Sequence, residues 1–388
     1  MSLVIQKYGG KTLAAPADIL QVAKLVHARV KSGTQVVVVV SALADTTDQY
    51  VAMARAVNPE PRGRELDVLL STGERVAIAM LALALNSIEH DIAVSLTGAQ
   101  AGIITDTLHT AARIVEVRPL RVREVLDQGK IPVIAGYQGI TTEKNISTLG
   151  RGGTDATAVA LAVALGAECV EFMKDVEGVA SADPKLVSEA KLLPQLDYDE
   201  ALSMMGFGAK ILQVPAVEMA AEFGMKLAIG NSKTGVAGTI ITEKPLARRT
   251  LGAVIHTPAT ILPLASLPEF SFVERTLRET GVLPLYLRGG ERPVVVFKQS
   301  DEPQLLFKQY ALAMDSGYDL VALFGPGAGG VGALADRIAA ELAPFREVIR
   351  EELYLENRLL LLVERSRAAE LVRGLHALCD ATKAATTL

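Results

Sequence analysis

The sequence predicts an α/β protein: a doubly wound, mostly parallel sheet followed by a smaller C-terminal region. Three observations carry that prediction. Continuous β-branched runs such as TQVVVVVSAL (34–43) read as strands covered on both faces. Helical periodicities separate these runs, and strand–helix alternation implies parallel pairing. The texture then changes at TEKPLARRTLG (242–252), a charged, proline-bearing connector, after which the elements shorten into two strand–helix–strand cycles. The expected boundary is near residue 247, giving regions 1–247 and 248–388.

In chain order, VIQKYGGKTL (4–13) opens with an apolar run that breaks at Lys7, turns through Gly9 and Gly10, and meets Lys11. A buried strand that ends on a lysine implies an anion at that end. ADILQVAKLVHARVKSG (17–33) follows as a helix, the 34–43 run as a strand, GERVAIAMLALALNS (73–87) as a helix and DIAVSLTG (91–98) as a strand. IPVIAGYQG (131–139) and ECVEFMKD (168–175) are strands on either side of the apolar helix TDATAVALAVALGA (154–167). Ligands of such sheets bind beyond the carboxyl ends of the strands, where loops and helix N-termini gather.

Composition removes several function classes. With 39 basic against 44 acidic residues and a net charge of −5, no basic block suggests a nucleic-acid surface. Cys169 and Cys379 supply neither a disulfide framework nor a metal-ligand set, which favours a reducing compartment. His27, His90, His109, His256 and His376 are scattered without ligand spacing, and there is no GxSxG elbow. No uninterrupted apolar run approaches ~18 residues, and no charged segment precedes an apolar leader, so a cytoplasmic protein without a membrane partner is expected. Gly325, Gly327 and Gly330 have dinucleotide-fingerprint spacing. Too few residues follow for the second half of such a fold, so they read as a glycine-rich turn.

Three loops carry charge where ligands would gather. At Gly9 and Gly10 backbone N–H groups can approach an anion, with Lys7 as a point charge; the alternative is a tight turn beside a solvated lysine. In TLGRGGTDATAVALAVALG (148–166), Thr154 or Asp155 can cap the helix. Arg151 with Gly152 and Gly153 at that N-terminus also suits a carboxylate or phosphate, and capping needs no arginine. MKDVEGVASADPK (173–185) adds Lys174, Asp175, Asp183 and Lys185 after a strand. Glu74, in the first turn of its helix, suits the helix dipole, or it complements an ammonium group. Glu74 for an amine and Arg151 for a carboxylate would together define an amino-acid substrate.

QKYGGKTL, VVVSALADTTDQY, LLSTGERVAIAM, SLTGAQAG, AGYQGITTEKNISTLGRGGTDATAVALAVAL and DVEGVASADPK together resemble aspartate kinases of the amino-acid kinase superfamily, over about the first 245 residues. The tail resembles the paired ACT modules that follow the kinase domain there. The resemblance implies the amino-acid kinase fold and transfer of the γ-phosphoryl of ATP to the side-chain carboxylate of aspartate, with Mg²⁺ between the phosphates. It implies that Lys7 stabilises the phosphoryl group in flight and that Asp155 organises the reacting centre. Thr47, Glu74, Arg151 and Thr154 would hold the amino acid. Lys7, Tyr8, Gly9, Gly10, Lys174, Asp175, Asp183, Lys185 and Lys210 would hold the nucleotide, and no protein metal cage is implied. The ACT-like tail implies a homodimer.

Departures cluster in this resemblance. Lys11 stands where the family has a small hydroxyl residue. Lys174, Ala180 and Lys185 replace Thr or Ser, an aromatic and Arg, while Gly230 and Pro215 occupy arginine positions. The Pro-Gly turn before the first ACT helix is missing, which implies a lost or altered effector site. Three functions therefore stay open: aspartate kinase, a paralogue phosphorylating another acidic amino acid or carboxylate, and a catalytically weak amino-acid-binding regulator.

Overall fold

Val36–Val40, five consecutive valines without a polar face, can be buried only in a strand covered on both sides, and the strand Gln35–Val40 is covered in that way. The computed structural model describes residues 2–150, 152–209, 212–243, 252–280, 282–290, 293–307, 312–325, 328, 333–355 and 357–379. Contacts divide the chain into two units. The first comprises Met1–Val179, Pro194–Ala201 and Ile211–Pro245; the second comprises Ala180–Leu193, Leu202–Lys210 and Leu246–Leu388. The boundary expected near residue 247 lies outside the described residues.

The first unit is built on an eight-stranded sheet among the described residues. Its order is Gln195–Asp197, Ala237–Thr242, Leu227–Asn231, Cys169–Lys174, Leu3–Tyr8, Gln35–Val40, Ile131–Ala135 and Ala93–Leu96. All neighbours are parallel except Leu227–Asn231 with Ala237–Thr242. The strands predicted at 34–43, 91–98 and 168–175 form, each trimmed at its ends, whereas 131–139 divides into Ile131–Ala135 and the start of Gln138–Thr141, which belongs to another sheet. Helices Pro16–Lys31 and Thr72–Ile88 bury Ile19, Val22, Val26, Ile78, Leu81 and Leu85 against Val4, Tyr8, Val36, Val38 and Val40. Helix Gly153–Leu165 packs on the opposite face of strand Leu3–Tyr8. Being buried nearly all round, it shows no polar stripe.

Arg64–Ile88 is long and apolar enough to cross a membrane. Here it is two helices, Arg64–Leu70 and Thr72–Ile88, with Asp67 and Glu74 buried and much of the apolar surface in the sheet's core. It is a core segment. A second, four-stranded sheet orders Ile114–Val117, Ile103–Thr105, Gln138–Thr141 and Ile146–Thr148. These strands of three or four residues carry too little periodicity to be read from sequence.

In the second unit the two cycles join in one six-stranded antiparallel sheet. Its order is Tyr286–Arg288, Val294–Lys298, Ala253–Pro263, Asp315–Phe324, Arg358–Glu364 and Ile349–Leu355. Each half runs strand, helix, hairpin, with helices Leu267–Thr280 and Ala333–Leu342, and Arg365–His376 is the last helix among the described residues. These are small β/α modules, as expected. Gly325 ends a strand, whereas Gly327 and Gly330 lie outside the described residues. Cys169 is buried and Cys379 half-buried, both as free thiols, and burial pushes the Cys169 thiol up to about 12.

Candidate active site

The loop after strand Gln35–Val40 gathers the sequence-predicted residues. Ser41 N–H donates to the Tyr8 carbonyl (3.2 Å) and Ala44 N–H to the Gly10 carbonyl (3.0 Å). Gly10 must be glycine, because a Cβ there would lie 2.4 Å from the Ala42 carbonyl oxygen and 2.8 Å from that of Ala44. The Thr12 hydroxyl closes the turn onto the Gly9 carbonyl at 2.6 Å. Ser41 Oγ donates to Thr154 Oγ1 (3.1 Å), and Ala42 N–H donates to Glu74 Oε1 (3.0 Å). One short loop thus touches the first strand's turn, the helix at Gly153 and the helix at Thr72.

Lys7 and Asp155 form the charged centre. Lys7 Nζ lies 2.6 Å from Asp155 Oδ1, with Lys7 9% and Asp155 4% exposed. Lys7 is the penultimate residue of its strand and Asp155 is in the first turn of Gly153–Leu165, so the pair stands at the carboxyl ends of the strands. Breaking such a pair would leave a buried charge unmatched, whereas an incoming anion can share the cation.

Glu74 is 2% exposed, and its Oε2 is buried with no hydrogen-bond partner among the described residues. Burial raises its pKa to about 7, against the lowering effect of the Ala42 N–H bond. A half-satisfied carboxylate in a protein interior calls for a donor, and a substrate ammonium is a fitting one.

The other predicted residues divide. Thr154 is buried beside Ser41, and Thr47 is half-buried in the first turn of helix Thr46–Val57. Tyr8 is buried with its ring in the core and donates its hydroxyl to Gln6 Oε1 (3.2 Å). Lys174 is half-buried at the end of its strand; Asp175, next to it, is exposed. Asp183 and Lys185 are exposed and belong to the second unit, where Asp183 Oδ1 accepts the Lys185 N–H at 2.9 Å. Arg151 and Lys210 lie outside the described residues. Lys11 is exposed in the turn Gly10–Leu13.

Sequence reading missed a buried network nearby. Asp67, wholly buried, accepts from Thr110 N–H (3.0 Å) and the Thr148 hydroxyl (2.5 Å), and its Oδ2 lies 2.6 Å from His109 Nδ1. It fastens the loop around residue 110 to the strand that leads into Gly150–Gly153. His109 looked isolated because its partner is 42 residues away; the one signal was an aspartate inside the apolar run LDVLL. Tyr137, at a φ of 64°, has its hydroxyl pushed up by burial, and Glu74 and Asp67 add to that shift.

Among the described residues no three His, Cys, Asp or Glu side chains converge.

The sequence model of the amino acid kinase family matches residues 2–231. The chain belongs to the amino acid kinase family. Among curated relatives, this amino acid kinase is 48% identical over 242 residues to the aspartokinase of Corynebacterium efficiens, covering 62% of this chain and 57% of that protein. It is 41% identical over 280 residues to the aspartokinase of Mycolicibacterium smegmatis, covering 70% of this chain and 66% of that one. The match thus spans less than two thirds of these relatives' lengths. Among solved structures, aspartate kinase from Synechocystis aligns at TM-score 0.57 and 30% identity, over 97% of this chain and 69% of that one. E. coli aspartokinase III with aspartate and ADP aligns at TM-score 0.81 and 23% identity, over 97% and 99% of the two chains, and shows the shared fold.

One departure of this amino acid kinase has a steric reason. A Cβ at Gly230 would lie 2.5 Å from the Val236 carbonyl oxygen, where the strand pairing shifts register after Ile229. The backbone would have to move before any side chain, arginine included, could stand there.

Proposed function

We propose that the chain is an aspartate kinase, transferring the γ-phosphoryl group of ATP to the side-chain carboxylate of L-aspartate to give 4-phospho-L-aspartate. One observation carries this reading: the loop Ser41–Ala44 ties the Lys7–Asp155 pair's two elements to the half-satisfied Glu74. A phosphoryl-handling cation and an ammonium-seeking carboxylate are thereby fixed on one frame. The similarity to aspartokinases at 40–48% identity supports the same acceptor.

In this reading the carboxylate oxygen of aspartate attacks the γ-phosphorus while the bond to the β,γ-bridging oxygen breaks. ADP leaves with the electron pair, and no proton need move because the attacking carboxylate is ionised. Lys7 stabilises charge on the phosphoryl group in flight, and Asp155 holds Lys7 at that place. Such transfer needs mainly positioning and charge neutralisation. Glu74 receives the substrate ammonium, with Thr47, Thr154 and Arg151 toward its remaining groups. Gly9 and Gly10 let backbone N–H groups approach the phosphates. Mg²⁺, when bound, would neutralise phosphate charge and would be held chiefly by phosphate oxygens and water. Residues 1–247 form the kinase region in this proposal. Residues 248–388 form an ACT-like pair that joins two copies of the protein in the cytoplasm.

An ATP-dependent hydroxamate assay across aspartate, glutamate and related acids tests the proposal. Hydroxamate from aspartate, lost in Lys7→Ala, is expected. Faster turnover of another acid would replace the acceptor. No product from any acid would leave the regulatory reading in its place.

A further inference from the structure

Lys174 ends the strand beside that of Lys7. In the parallel pair, Lys7 is in register with Phe172. Lys174, two residues on, therefore stands on the same face of the sheet as Lys7. That is the face on which helix Gly153–Leu165 carries Asp155, because the alternate residues Tyr8 and Met173 belong to the core on the other face. On its far side Lys174 is in register with Asn231, an uncharged residue that donates to Glu177 (2.7 Å). Lys174 feels the charges of Asp155, Lys7 and Asp175. Two lysines thus share one buried aspartate at the carboxyl ends of two adjacent strands. Asp155 pairs directly with Lys7 at 2.6 Å and Asp175 is exposed to water, so the half-buried Lys174 can still take an anion on that face.

We propose that Lys174 is a second cation for the phosphoryl group in flight, working with Lys7 across Asp155. The inference rests on the kinase reading above and sharpens it, because Lys174 acts on the reacting group rather than on the nucleotide alone. A nucleotide-holding lysine binds ground state and transition state alike, so its loss raises the KM for ATP and leaves kcat unchanged. A cation on the moving phosphoryl group meets charge that spreads only in the transition state, so its loss lowers kcat.

The decisive experiment is full kinetics of Lys174→Thr, which removes the charge and keeps a polar side chain, alongside Lys174→Arg across pH. The expected result for Lys174→Thr is a kcat roughly 10²-fold lower with the KM for ATP changed less than about threefold. Burial lowers the Lys174 pKa and Lys7 lowers it further, against Asp155 and Asp175. The parent's activity should therefore fall on the alkaline side before an ordinary lysine would lose its proton. An arginine stays charged there, so Lys174→Arg should move that limb to higher pH. Unchanged kcat in Lys174→Thr, or a rise in KM alone, overturns the inference. An alkaline limb left in place by Lys174→Arg also overturns it, and this second variant decides the matter if Lys174→Thr folds poorly. A parent chain that makes no hydroxamate from any acid sinks the kinase reading itself. A parent that turns over while Lys174→Thr matches it sinks only the role of Lys174.

Discussion

Glu74 in the first unit and Asp319 in the second are both buried carboxylates, and the protein treats them oppositely. Asp319, 3% exposed, receives Arg365 Nε at 2.8 Å, and its Oδ2 lies 2.6 Å from His256 Nε2. Arg365 also reaches the Tyr318 carbonyl and Gln299 Oε1, both at 3.0 Å. Burial alone would raise Asp319, yet the bonds and charges of His256 and Arg365 outweigh it and hold the carboxyl below its ordinary range. Glu74 has one backbone donor, and its second oxygen has no partner among the described residues. A carboxylate with its partners in place binds the fold together. One with an open valence weakens the fold and marks a place for a ligand.

The largest effect that would sharpen this contrast is on stability. Asp319→Ala should destabilise the second unit by about 3 kcal/mol in urea unfolding, because the hydrogen bonds of His256 and the exposed Arg365 to it are lost. Asp319's stabilisation is present above the ordinary carboxylate pKa and is lost as pH falls through the lowered folded value. An unfolding midpoint unmoved by the substitution would erase the difference between the two carboxylates.

Glu74→Gln should do the reverse. Below its ordinary value of 4.5 Glu74 is protonated in both states and adds nothing. Between 4.5 and about 7 the unfolded chain releases a proton that the folded chain keeps, so stability falls as pH rises, and above about 7 the cost is complete. The variant should therefore be more stable than the parent at pH 8 by up to about 3 kcal/mol and no different at pH 4. Its KM for the amino acid should rise about 10- to 100-fold, the loss of one charge-assisted hydrogen bond. Glutamine that neither stabilised at high pH nor weakened binding would show Glu74 to be satisfied after all.

Gly10→Ala comes next, since the new Cβ has to displace the Ala42 carbonyl and with it the loop that holds Glu74. A loss of about 1–3 kcal/mol, with a higher KM, is expected from calorimetry and kinetics. The smallest effect belongs to Lys11→Thr. Lys11 is exposed, so kcat should change less than about twofold. A larger drop would bring Lys11 into the phosphate site.

The parts of the fold legible in the sequence were those whose signal is local. The valine run at 36–40 and the apolar helix after Gly153 have no other way to bury themselves, and both appear where the pattern places them. The four-stranded sheet was not legible, because strands such as Ile103–Thr105 and Ile146–Thr148 are stabilised by neighbours distant in the chain. In the site, Lys7 and Asp155 were readable as charged residues where apolar elements end or begin. Ser41 and the Ala42 amide were not, since a serine and an alanine in a loop carry no chemical signature. The segments Ala180–Leu193 and Leu202–Lys210 group with the C-terminal strands, an association across long sequence separation.

By itself the sequence determined residue chemistry and period: which stretches had to be buried, which glycines opened turns, and where charge interrupted apolar runs. These follow from side-chain solvation and backbone sterics acting over a few residues. Only the tertiary structure decided which charges meet. Lys7 and Asp155 are 148 positions apart, and Asp67 reaches Thr148 across 81. The strength of such a pair depends on distance and on the exclusion of water. Neither quantity exists until the sheet has brought the strand ends together.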